Sequence, residues 1–153
     1  MRLGRDSTAI RDCHILASCA VWMGMQTKFI QMVVVLAALS MLVTGVWMRI
    51  DPASFAQWAN WPNHVHFLHD AGVFQIGIAV TMLFALWWRD VIAVVLTGFL
   101  VANTLHAINH FLDRDGGNPS DWWQLGLFSL LAAAALAVRL RQLQLKTVAS
   151  ISR

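Results

Sequence analysis

Four runs along this chain are mainly apolar and contain no Asp, Lys or Arg, and the charged residues lie between these runs and at the two ends of the chain. A helix rises 1.5 Å per residue, so about 20 apolar residues cross about 30 Å of hydrocarbon. The alternation typical of a membrane barrel is absent, and none of the runs has the charged outer face that a helix of a soluble bundle needs. We therefore predict an all-α membrane protein, a four-helix bundle with spans at residues 29–48, 71–88, 91–112 and 122–138.

The segments between the spans predict the remaining organisation. Only Arg89 and Asp90 separate spans two and three, which predicts an antiparallel hairpin of directly neighbouring helices. Residues 51–62 open with Asp51-Pro52, which favours a short helix in the membrane interface, with a simple loop as the alternative. We predict three regions: a cytoplasmic N-terminal extension (1–28), the transmembrane domain (29–140) and a basic cytoplasmic tail (141–153). The extension is shorter if translation begins at Met23 or Met25.

Composition agrees with the hydropathy pattern and excludes two classes of protein. The chain of 153 residues is 58% apolar and 12% charged, against about 45–50% and about 25% in soluble domains. A soluble domain cannot bury such an excess, because about a third of its chain surface stays wet. Basic residues form no single stripe, so we expect no nucleic-acid partner. The expected partners are the lipid bilayer and a membrane protein, either a second copy or another subunit.

The distribution of Lys and Arg predicts the orientation in the membrane. Loops on the cytoplasmic side carry more of these residues than loops on the other side. Nine of the eleven lie on the side of both termini, and Arg49 and Arg114 lie on the other. We therefore expect both termini in the cytoplasm of a bacterium, in a multi-pass protein of its inner membrane. The nine are Arg2, Arg5, Arg11, Lys28, Arg89, Arg139, Arg141, Lys146 and Arg153.

Polar residues within spans two and three mark the candidate site. Such residues at membrane depth are costly and usually turn inward to partners. At about 100° per residue they form one polar edge on each span, near the outer end, and the short turn predicts that the two edges face each other. Imidazole with carboxylate suits zinc, iron or copper. We predict metal ligands at His66, His69, Asp70, His106 and His110, with second-shell support from Asn103, Asn109 and Asp113.

Several alternatives stay open beside a metal ion or small ligand. A haem b held between His69 and His106 is a narrower version of the same idea. A structural or accessory subunit without chemistry would use Asn103 and Asn109 only to tie helices together. A proton relay, or an acid–base enzyme acting on a lipid-borne substrate, would use His69 and Asp70 with His106. Residues alone do not decide whether the chain is an enzyme.

Two stretches carry a family likeness. One runs His66-Phe-Leu-His-Asp-Ala-Gly-Val-Phe-Gln-Ile-Gly77, and the other Asn103-Thr-Leu-His-Ala-Ile-Asn-His-Phe-Leu-Asp113. Over residues 27–140 the chain resembles small four-helix membrane proteins of bacteria, similar in outline to the DoxX-like group. The resemblance implies a four-helix fold and a bacterial inner membrane, and it implies no activity.

Overall fold

The structure is a computed structural model, and it describes residues 6–88, 90–113 and 117–151, with side chains from residue 18 onward. All regular structure in these ranges is helical. The five helices are α1 (Asp6–Ile50), α2 (Pro52–Trp58), α3 (Val65–Ala85), α4 (Ile92–Leu112) and α5 (Asp121–Ile151). Arg2, Arg5, Arg89, Arg114 and Arg153, which the orientation prediction counted, lie outside the described residues. So does the side chain of Arg11.

Four of the helices are long and apolar enough to cross a membrane: Ser18–Ile50 within α1, and the whole of α3, α4 and α5. Large apolar side chains stay exposed at the middle of these helices, among them Phe74, Leu105 and Leu130. Exposed apolar surface on this scale is unfavourable in water and favourable in lipid. The prediction of a multi-pass helical membrane protein is thus confirmed at this level.

Helix α1 is longer than its predicted span. It runs without a break through the described part of the predicted N-terminal extension, and its 45 residues measure about 68 Å at 1.5 Å per residue. The short helix after Asp51 is present as α2. Asp51 caps it, with its carboxylate accepting a hydrogen bond from the Ser54 N–H at 3.1 Å, and Pro52 stands in the first turn.

The connection between α3 and α4 is longer than predicted. Helix α3 ends at Ala85 and α4 begins at Ile92, so Trp87 and Trp88 belong to the turn and not to a helix. The longer turn does not force the two helices together along their length. Helix α3 packs mainly on α1, α4 packs mainly on α5, and few contacts join α3 to α4.

Two hydrophobic clusters hold these helices. The larger one joins all four long helices near the turn between α3 and α4 and includes Val34, Met82, Leu96 and Ala132. The smaller one lies at the other end of the bundle, which we call the α2 end, and joins Met48, Ala56 and Leu68 of α1, α2 and α3. No described residue of α4 or α5 belongs to the smaller cluster, so the α2 end is organised as two units, α1–α2–α3 and α4–α5.

A glycine pair explains why α3 follows α1. A Cβ on Gly72 would lie 2.6 Å from the Gly45 carbonyl oxygen, and a Cβ on Gly45 would lie 2.8 Å from the Gly72 carbonyl oxygen. Backbones approach this closely only where both helices present glycine. Beside the crossing, the Thr44 hydroxyl donates a hydrogen bond to the Gln75 side-chain oxygen. The half of α3 nearest the α2 end is therefore held against α1.

Candidate functional site

The polar edge of α4 faces α5. The Asn103 amide nitrogen donates to the Leu125 carbonyl oxygen at 2.6 Å and lies 3.0 Å from the Ser129 hydroxyl. Thr104 and Ser129 share a hydroxyl hydrogen bond of 3.0 Å. Ser129 is one of the few buried polar residues of the bundle. This seam fixes the rotation of α4 about its own axis, and with it the direction of the histidines one and two turns further along.

His106 and His110 form a close pair at the α2 end of the seam. Their spacing of four residues places them on one face of α4. The two Nε2 atoms are 3.0 Å apart, and the ring centroids are 4.7 Å apart with 44° between the ring planes. His106 is exposed on the protein surface, whereas the His110 side chain is 21% exposed. The two nitrogen atoms therefore lie within hydrogen-bonding distance of each other, and one of the two rings is exposed.

A carboxylate stands behind the pair. Asp121 begins α5, and its Oδ2 lies 3.8 Å from His110 Nδ1, on the side of the ring away from His106. The same oxygen accepts a hydrogen bond of 3.0 Å from the Asn118 N–H, and the Asp121 side chain is 21% exposed. Carboxylate, His110 and His106 thus form a chain of three groups drawn from two helices.

Two loops support this chain of groups. Asn60, with a positive φ of 51°, accepts from the Gly117 N–H at 3.3 Å and donates to the Gly117 carbonyl at 3.2 Å. The Asn118 side chain donates to the Trp58 carbonyl at 2.9 Å. We call these contacts between 58–60 and 117–118 the loop clasp. It holds the backbone of Gly117 directly against the His110 ring.

The predicted ligands on α3 lie elsewhere. His66 Nε2 is 3.5 Å from Asp70 Oδ2, but both side chains are exposed, at 94% and 59%. His69 is half-buried on the same helix. Within the described ranges, no group of three or more histidine, cysteine or acidic side chains could hold a metal ion. The five predicted ligands therefore do not form one metal-binding group among the described residues, and the facing of the two polar edges stays a prediction.

Helix packing gives α3 and α4 different main neighbours. The glycine crossing holds α3 on α1, and the Asn103–Ser129 seam turns the edge of α4 toward α5. Of the predicted supporting residues, Asn103 lies in that seam, while Asn109 and Asp113 are exposed. Asp113 ends α4, with its N–H donating to the Asn109 carbonyl at 2.8 Å.

Asp121 and Gly117 were not among the predicted site residues. Asp121 was recognisable only as an acid in the first turn of span four. The sequence feature that could have identified Asp121 is the short connection between His110 and Asp121. Two helices joined by such a connection bring the end of the first close to the start of the second.

The Nε2 separation in the histidine pair is a hydrogen-bond distance that also lies close to the spacing of two metal ligands. Imidazole nitrogens bind zinc at about 2.0–2.1 Å, which sets two nitrogens of one tetrahedral site about 3.3 Å apart. The observed 3.0 Å is within a small side-chain rotation of that distance. A metal ion held by this pair would keep further positions for water or another ligand.

Comparison with protein-family models, with curated proteins and with solved structures finds no match to this chain. The resemblance to the DoxX-like group therefore stays a prediction. The site has to be interpreted from its own geometry.

Proposed function

We propose that this chain is a multi-pass protein of a bacterial inner membrane, with both termini in the cytoplasm and the α2 end at the outer surface. Support comes from the four spanning helices and from the excess of Lys and Arg, nine against two, on the side of the termini. Trp47, Trp58 and Trp61 at the α2 end are the residues typical of a membrane interface.

We further propose that His106 and His110 bind one transition-metal ion at that end. The observation that carries the proposal is the separation of 3.0 Å between the two Nε2 atoms, because one ion can accept both lone pairs at that spacing. Imidazole suits zinc, copper and iron. The proposed site does not use His66, His69 or Asp70, which belong to α3.

Metal titration of the purified protein tests this proposal. We expect the detergent-solubilised wild type to take up one equivalent of Zn²⁺ or Cu²⁺, and H106A and H110A each to lose it. H66A is the matched control, because His66 is also an outer-end histidine four residues from a polar partner. It should bind as the wild type does. A wild type that takes up no metal, or an equal loss in H66A, would contradict the proposal; a Soret band would indicate haem instead.

The competing function is a structural or accessory subunit without chemistry. The hydrogen bonds among Asn103, Thr104 and Ser129 favour it, since each such bond in a membrane contributes about 0.6 kcal/mol whether or not a ligand binds. If the chain is such a subunit, the purified wild type should contain no metal, and the H106A/H110A double variant should still fold. An acid–base or proton-relay role on a lipid-borne substrate stays a prediction of the sequence.

A further inference from the structure

The contact between His106 and His110 constrains where their protons lie. A neutral imidazole carries one N–H, on either Nδ1 or Nε2. Two Nε2 atoms 3.0 Å apart form a hydrogen bond only when one of them carries the proton and the other offers a lone pair. Geometry at these two atoms alone does not say which ring donates, so the deciding group must lie outside the pair.

Asp121 is that group. Its Oδ2 faces Nδ1 of His110, and a carboxylate oxygen accepts from an N–H but repels a bare nitrogen lone pair. The carboxylate therefore favours the proton on Nδ1 of His110, which leaves Nε2 as the acceptor. His106 then donates through its own Nε2–H in the metal-free protein. Metal binding by both rings requires this proton to leave Nε2, with His106 taking its Nδ1–H form.

We infer that Asp121 is a positioning residue that keeps His110 in its Nδ1–H form, so that the Nε2 lone pair is directed at the point shared with His106. For metal binding, this inference rests on the proposed function. Ligating histidines commonly donate their second ring N–H to a carboxylate, which fixes the ring and strengthens the ligand. Asp121 lies on that side of His110, at an ion-pair distance of 3.8 Å, so its influence on the ring is electrostatic.

Gly117 lies beside both the His110 ring and the Asp121 carboxylate, where a side chain would crowd them. A Cβ at this position would lie 3.2 Å from His110 Nδ1, 3.3 Å from Cε1 and 3.4 Å from Asp121 Oδ2. The backbone there has a φ of +88°, which glycine adopts without strain. The loop clasp fixes this glycine, so the ring, the carboxylate and the clasp form one unit.

Nitrogen NMR of the metal-free protein tests the inference directly. In wild type labelled with ¹⁵N-histidine, long-range ¹H–¹⁵N correlation should find His110 protonated at Nδ1 and His106 at Nε2. D121N keeps an oxygen for the Asn118 N–H but loses the charge, so the preference at His110 should weaken or disappear. D113N removes a charge at the same end without touching the ring, and it should leave the spectrum unchanged. A wild-type His110 protonated at Nε2, or an unchanged D121N spectrum, would overturn the inference.

Zinc titration measures the consequence for binding. Loss of a supporting carboxylate typically weakens metal affinity by about 10–100-fold, which we expect for D121N, whereas D113N should match the wild type. Equal zinc affinity in D121N and wild type would overturn the role of Asp121 in binding. If the wild type binds no zinc while its tautomers are as expected, the proposed metal site fails and the positioning by Asp121 stands.

Discussion

At the start of α2, Asp51 combines a capping role with a titratable charge. A side-chain hydrogen bond with Ser54 and a second bond from the Ser54 N–H hold the pKa of Asp51 below its ordinary value. The Ser54 hydroxyl also accepts from the Trp47 indole N–H at 2.7 Å, which links the cap to α1. Protonation of Asp51 therefore acts on the junction of two helices.

We expect α2 to loosen on acidification. Because the pKa of Asp51 is lower in the folded chain than in the unfolded one, its stabilisation is present above the unfolded pKa and is lost as the pH falls through the folded pKa. The amide proton of Ser54 should report this titration in ¹H–¹⁵N spectra, with a midpoint below that of an unperturbed aspartate. D51N should abolish the transition. A midpoint at or above the ordinary aspartate value would contradict the assignment.

The site residues that share one helix were predictable, and the others were not. His106 and His110 come together because four residues make about one turn, which the sequence alone dictates. Asp121 and Gly117 reach the same ring from another helix and a loop. The short connection between α4 and α5 brings Asp121 to the same end as His110. Its contact with the ring depends on how α5 docks on α4 and on the loop clasp, which no local pattern encodes.

Among the helices, the crossing of α1 and α3 offers the sharpest test of packing. In G72A the new methyl group would meet the Gly45 carbonyl at 2.6 Å, so the two backbones must separate. Overpacking of this kind costs about 1–3 kcal/mol. G77A is the matched control, because a Cβ on Gly77 has nothing within 4 Å.

Unfolding of both variants in mixed micelles of mild detergent and dodecyl sulfate measures the difference. We expect G72A to unfold at lower dodecyl sulfate than the wild type, and G77A to unfold at the wild-type midpoint or above it, since alanine favours a helix over glycine. Equal midpoints for the two variants would mean that α1 and α3 do not cross at this glycine pair.

Helix α3 packs on α1 and α4 packs on α5, and these pairings show why the sequence could predict the spans but not which spans pack together. Apolar length marks a span, and each of the four predicted spans overlaps one long apolar helix. It does not mark the end of a helix, because Trp87 and Trp88 are as apolar in a turn as in a span. Pairing depends instead on where two surfaces fit, here at Gly72 and at Asn103.

At the scale of the whole molecule, the division of the α2 end into two helix units determines where the histidine pair lies. One hydrophobic cluster joins all four long helices at the other end, whereas at the α2 end Met48, Ala56 and Leu68 join only α1, α2 and α3. The loop clasp is the link between the two units there. His106 lies on the unit that this smaller cluster leaves out, so its exposure follows from the architecture.

The distribution of Lys and Arg predicts on which side of the membrane this end lies. Nine Lys and Arg residues lie on the side of the termini, so we expect Gln57 on α2 outside and Gln144 near the end of α5 inside. Both side chains are exposed. Single-cysteine variants Q57C and Q144C, made with Cys13 and Cys19 replaced by serine, should react differently with a membrane-impermeant maleimide.

In intact cells with a permeabilised outer membrane, Q57C should be labelled and Q144C should react only after lysis. The reverse labelling would place the histidine pair on the cytoplasmic side, where it would meet the cytoplasmic metal pool and not the periplasmic one. Because the pair and Gln57 lie at the same end of the bundle, one labelling experiment fixes both the topology and the compartment from which a metal ion reaches His106. The metal that the purified protein binds can then be compared with the metals available in that compartment.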